Sequence, residues 1–124
     1  MTIALWCVLI AGLLPYAAIG IAKIGGKGYD NANPRAWLAR TEGFRARAHA
    51  AHLNTFEAFP LFAVAVLVAY MLHAPQNKVD MLAMVFIAAR IGYIALYLAN
   101  RPTLRSAFWI VGTICVVSMF FVAA

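Results

Sequence analysis

The 124 residues are 65% hydrophobic and only 11% charged, with a formal net charge of +6, a balance too apolar for an ordinary soluble domain. Thr2–Ala22 and Ser106–Ala124 carry no charge at all, and at about 1.5 Å per residue each can cross a hydrocarbon core of roughly 30 Å. A soluble bundle is set aside, and the basic excess has to be explained by where its residues fall.

The first predicted helix, about Ile3 to Ile24, contains Gly12, Pro15 and Gly20, which membrane helices tolerate for close packing or a modest kink. No basic residue precedes its apolar run and no cleavage point follows GLLPYAAIG, so it reads as a retained span and not a signal peptide. Trp6 and Tyr16 read as lipid- or interface-facing aromatics. The helix stops near GGKGYDNANP, which cannot continue a helix cheaply. Asn33-Pro34 then starts a short interfacial helix over Pro34–Leu38, with Trp37 as a headgroup anchor. Thr41 is expected to cap the next helix, with Glu42 adding charge near its positive end.

That second long helix is Phe44–Ala69, FRARAHAAHLNTFEAFPLFAVAVLVA, within which Ala48–Leu72 can span. It divides polar from apolar along its length, not around its circumference. HAPQNK at 73–78 makes a short turn, and a third helix, about Val79–Ala99, carries Arg90 mid-span. NRPT at 100–103 is a tight turn whose proline stops the third helix or starts the fourth. Beyond Arg105 the fourth helix offers only Gly112, Thr113 and Ser118, small residues suited to packing. Cys7 and Cys115 fall inside apolar spans and read as buried small hydrophobes.

The expected architecture is an all-α, four-transmembrane-helix bundle formed by residues 1–124 as one domain. Lys23, Lys27, Arg35, Arg40, Arg45 and Arg47 cluster around the first connection and Arg101 and Arg105 around the third, whereas the second has Lys78 opposed by Asp80. The positive-inside rule places the first and third connections in the cytoplasm and both termini outside. Topology accounts for the charge, so no nucleic-acid partner is needed.

Depth then connects the polar residues. From Arg45, Asn54 lies about 13 Å and Glu57 about 18 Å into the membrane, while Arg90 lies roughly 16 Å below the same surface. Opposite charges at one level are expected to face each other and hydrogen-bond. Arg47, Ala50, Asn54, Glu57 and Leu61 share one broad helical face, and Arg90, Tyr93, Tyr97 and Arg101 form a stripe on another. Joined, they predict a cationic funnel narrowing to Glu57 and Arg90 and closed at its rim by Arg105. An anionic ligand of peptide size would fit it. His49 is expected to border the entrance, and His52 to make a helix or subunit contact. No HExxH arrangement or internal cysteine cluster points to a metal.

AHLNTFEAFPLF and ARIGYIALYLANRPTLRS resemble the MAPEG family, the membrane-associated proteins in eicosanoid and glutathione metabolism, and in particular its short bacterial members. The resemblance covers essentially the whole chain and is carried by Asn54-x-x-Glu57-x-x-Pro60, Arg90, Tyr93, Tyr97 and Arg105. It implies a homotrimer in a bacterial inner membrane, with glutathione bound between subunits near the cytosolic face. Asn54, Glu57, Arg90, Tyr93 and Tyr97 would line that pocket, with Arg47, His49 and Arg101 toward its mouth. Arg105 looks like the arginine that stabilises the glutathione thiolate in catalytic members. The implied chemistry is thiolate attack on a lipophilic electrophile, or thiol-dependent reduction of a lipid hydroperoxide. One departure is Ala50, where mammalian enzymes of the family carry an arginine; Arg47, nearly one turn earlier, would stand in for it.

Two readings compete with this. A non-catalytic membrane protein would use the Glu57–Arg90 pair for packing and assembly. A small proton-coupled exporter would need an unpaired membrane carboxylate, and such exporters typically have it in a first span, which here has no acid.

Overall fold

The computed structural model describes Met1–Ala124, with α1 over Ile3–Lys23, α2 over Pro34–Leu38, α3 over Gly43–Met71, α4 over Gln76–Leu98 and α5 over Pro102–Ala123. All but α2 are long and apolar enough to cross a membrane. The molecule is an all-α bundle with four membrane-spanning helices. The 29 residues of α3 extend about 44 Å at helical rise, well beyond a hydrocarbon core. α3 is therefore long enough to reach beyond the apolar layer.

α1 packs against α3 and α4, and α5 against α4 and α3. α1 and α3 are antiparallel: Arg45 Nη1, near the start of α3, donates to Ala22 O and Ile24 O at the end of α1. α1 and α4 begin at the same end, where the Ala4 amide donates to Asp80 Oδ1 at 2.7 Å. The Asp80 carboxylate thus serves an orphan amide in the first turn of α1, a favourable place for negative charge. The α1–α3 seam is built of buried alanines, among them Ala4, Ala11, Ala18 and Ala22 against Ala48, Ala51, Ala65 and Ala69. Lipid tails are as apolar as these side chains, so close approach and dispersion contacts drive such association. The core is centred on Phe62 and Phe86, stacked with ring centroids 4.0 Å apart, beside Val66, Met119 and the buried free thiols Cys7 and Cys115.

The helix ends depart from the sequence expectation in two places. Thr41 does not cap α3: its Oγ1 donates to Leu38 O at 2.7 Å. The N-cap of α3 is Glu42, without a side-chain hydrogen bond. Gly43 follows at φ 61°, a left-handed residue, so the chain turns between Thr41 and the amides it would cap. α4 begins at Gln76, earlier than Val79, because Pro75 O accepts the Lys78 and Val79 amides and Gln76 Nε2 donates to Asp80 Oδ1. Pro102 starts α5 at its first turn. The C-termini of α3 and α4 close alike: His73 and Asn100 take positive φ, and the amides of Ala74 and Arg101 reach back to Ala69 O and Leu96 O. This is the Schellman arrangement, formed here without glycine.

Candidate functional site

The buried polar centre of the bundle is Arg90 on α4, only 2% exposed. Its Nη2 donates to Asn54 Oδ1 at 3.0 Å and to Thr55 Oγ1 at 2.9 Å, both on α3. Thr55 in turn donates to Ala51 O at 2.7 Å, one helical turn back. The guanidinium carbon lies 4.2 Å from the centroid of the Tyr93 ring. Nη1 makes no hydrogen bond to the protein, and Nε is buried without a partner. A buried guanidinium with spare donors is held ready for an acceptor that the chain does not supply.

The direct Glu57–Arg90 hydrogen bond expected from depth does not form. The protons of Nη2 go to Asn54 and Thr55, while Glu57 is exposed and its side chain makes no hydrogen bond. The reason is angular: at about 100° per residue, Glu57 lies roughly 160° around α3 from Thr55, and Arg90 enters between Thr55 and Asn54. Depth alone does not fix azimuth. The two charges nonetheless share a wall, since Asn54, Glu57, Leu61, Arg90, Trp109 and Thr113 line a cavity of about 260 Å³ between α3, α4 and α5.

A second recess of about 400 Å³ is lined by Asn54, Tyr93, Arg105, Ser106, Trp109 and Ile110. It shares Asn54 and Trp109 with the first, so the two recesses adjoin. Tyr93 and Tyr97 meet edge to face at 5.7 Å, and the Arg105 guanidinium carbon lies 4.0 Å from the Tyr97 ring centroid. That aromatic face holds Arg105 by a cation–π contact without using its hydrogen-bond donors. Asn54, Glu57, Arg90, Tyr93, Tyr97 and Arg105 are thus brought together.

The outer residues are placed differently. Arg47 donates through Nε and Nη2 to Leu98 O, at 3.3 and 3.2 Å, and so caps the end of α4. Arg101 is exposed and is the N-cap residue of α5. His49 stacks on His52, with ring centroids 6.3 Å apart, and lines neither recess. His52 meets Pro15 O through Nδ1 at 2.7 Å, a helix–helix contact. No group of three His, Cys, Asp or Glu side chains is arranged to hold a metal ion.

Sequence reasoning passed over Thr55 and Trp109. Thr55 left a signal: it follows Asn54 in a polar stretch of α3, with a hydroxyl that accepts from a buried donor at little desolvation cost. Trp109 left none, because a tryptophan in an otherwise apolar span reads as packing. Thr113 and Gly112 were read as packing only, yet both also line the deeper cavity.

Comparison with curated proteins finds none that matches. A family model described as the MAPEG family matches residues 3–124, and with this match over nearly its whole length the chain belongs to the MAPEG family.

Proposed function

We propose that this protein binds glutathione in the adjoining recesses between α3, α4 and α5 and holds its thiol as a thiolate beside Arg105, for attack on lipophilic electrophiles or hydroperoxides. Family membership supports a general glutathione-associated role with lipophilic substrates. The observation that carries the reading is that the cavity lined by Arg90 and Glu57 and the recess lined by Tyr93 and Arg105 adjoin at Asn54 and Trp109. A glutathione carboxylate suits Arg90 Nη1, which makes no bond to the protein and is not sealed off as Nε is, and its ammonium suits the unpaired Glu57. The thiol then falls to the recess flanked by Tyr93 and Arg105. A guanidinium beside sulfur stabilises the anion over the thiol and raises the concentration of nucleophile at neutral pH.

With an electrophile, sulfur forms a bond to carbon, the leaving group takes the bonding pair, and the thiol proton passes to solvent. With a hydroperoxide, two glutathione molecules are oxidised to their disulfide while the peroxide is reduced to an alcohol and water. The lipophilic partner would approach along the exposed apolar residues beside the recess, Trp109 and Ile110.

The assembly we propose is a homotrimer. Its physical support is Glu57, which is exposed at mid-span of α3; an uncovered carboxylate at that depth costs several kcal/mol. A neighbouring copy against this face would shield it and complete the site. The proposed setting is a bacterial inner membrane, with the α1–α3 and α4–α5 connections cytoplasmic and both termini outside. The competing scaffold reading loses its motivating contact, because Glu57 and Arg90 do not pair.

The test is glutathione binding to the purified protein together with the ultraviolet absorbance of the thiolate, wild type against Arg105→Ala. Wild type should bind and show thiolate, and the variant should lose about 10²-fold of it, the lower end of the effect of removing one oxyanion-stabilising donor. Absence of binding by wild type overturns the reading. Unchanged thiolate in the variant removes Arg105 from its role.

A further inference from the structure

On the opposite side of α3 from these recesses, at the end where α1 finishes and α3 begins, a separate pocket of about 430 Å³ is lined by Gly25, Lys27, Trp37, Arg40, Thr41 and Arg45. Three of its six lining residues are cationic and none is acidic. The separation from the first site is geometric: Arg45 bonds to α1, whereas Arg47 bonds to α4. We propose that this pocket binds the phosphate headgroup of an anionic membrane lipid.

The pocket is built before any ligand arrives. Arg45 is pinned by Nη1, which donates to Ala22 O at 2.7 Å and Ile24 O at 2.8 Å, while its Nε and Nη2 make no hydrogen bond to the protein. Arg40 is pinned by Nε, donating to Ala36 O at 3.2 Å, with both terminal nitrogens free. The Trp37 ring packs so closely on Gly26 that a Cβ there would come within 2.5 Å of it. Its indole nitrogen donates to Lys27 O at 3.1 Å, and Tyr29 meets its face edge-on at 5.2 Å. Two acids lie close in sequence and neither lines the pocket: Glu42 follows Thr41, is exposed and makes no side-chain capping bond, and Asp30 is occupied by the Ala32 amide and the Asn33 side chain. Those two donors hold its carboxyl below the usual carboxylate range, so it stays an anion bound to its own loop.

Two guanidinia held by backbone carbonyls with donors left free, and one ammonium, in a lining without a carboxylate, match the charge and acceptor geometry of a phosphate. The position selects a lipid over a free anion. The pocket sits where two membrane helices leave the apolar layer, and the exposed Ile21, Ile24 and Phe44 flank it, an apolar surface for acyl chains beneath the headgroup. Basic pockets between membrane helices and an interfacial tryptophan are a recurrent way to hold anionic headgroups.

The experiment uses full-length protein carrying Trp6→Phe and Trp109→Phe, which leaves Trp37 as the only tryptophan, reconstituted in phosphatidylcholine bilayers. Brominated phosphatidylglycerol and brominated phosphatidylcholine are titrated as quenchers of Trp37. Phosphatidylglycerol should associate at least about tenfold more strongly, and Lys27→Gln with Arg40→Gln should abolish the preference. Arg35→Gln with Lys78→Gln, which removes the same charge outside the pocket, should keep it. Equal quenching by the two lipids overturns the proposal, and does so in the wild-type pocket whether or not the double variant folds. Equal loss in both double variants also overturns it, since net charge alone would then suffice. So does displacement of the brominated lipid by millimolar glycerol phosphate, which would make this a site for soluble phosphate.

Discussion

Arg90 shows what one buried cation demands of its neighbours. Its contacts to Asn54 and Thr55 join α4 to α3 inside the membrane, whereas Glu57 contributes charge to the cavity but no bond to the fold. The two roles are separable by substitution. Thr55→Val keeps the shape of the side chain and removes the acceptor, so it should destabilise the protein by about 1–3 kcal/mol. Glu57→Gln breaks no bond within the fold and removes a charge from the apolar layer, so it should leave stability unchanged or raised while weakening glutathione binding severalfold or more. Unfolding in detergent, paired with a glutathione titration, reads both. Equal destabilisation by the two substitutions would make Glu57 a structural residue. The sequence reveals that Arg90 and Glu57 share a level because helical rise is constant. It does not reveal that Thr55 intercepts the guanidinium, because azimuth depends on how α3 is rotated against α4, and that is decided by packing elsewhere.

The α4–α5 seam is where element packing is most demanding. A Cβ on Gly92 would come within 2.3 Å of the Phe108 ring, whereas one on Gly112 would meet Phe86 no closer than 3.6 Å. Gly92→Ala should therefore displace Phe108 and destabilise by about 1–3 kcal/mol. Gly112→Ala meets only ordinary contact and gains helix propensity, so its effect should lie between neutral and about 1 kcal/mol stabilising. Thermal unfolding of the two variants in one detergent makes the comparison, and a Gly92→Ala variant as stable as Gly112→Ala would show that the seam can yield at Phe108. The helices themselves were legible from their apolar length, and α2 from Asn33-Pro34. Their ends were less so. Left-handed His73 and Asn100 close α3 and α4 without the glycine that usually marks such a stop, and Gly43 displaced Thr41 from the cap its residue type suggested.

At the scale of the molecule, charge is divided between the two ends of the bundle. The end with α2 carries Lys23, Lys27, Arg35, Arg40, Arg45 and Arg47 together with Arg101 and Arg105, and the end with the α3–α4 turn carries Lys78 and Asp80. Both Arg105, at the start of α5, and the basic pocket lie at the first end. Orientation in the membrane consequently decides which compartment supplies the thiol, and a reducing cytoplasm is where a free thiol persists. The positive-inside rule places the α2 end there. Cys7 and Cys115 are both buried at 5% exposure, so a single introduced cysteine can be labelled over a low background. Ala36→Cys and Asn77→Cys sit at exposed positions at opposite ends and leave every charge in place. In intact cells a membrane-impermeant maleimide should label Asn77→Cys at once and Ala36→Cys only after lysis. The reverse pattern would put Arg105 on the oxidising side and remove the compartment on which the thiolate chemistry depends.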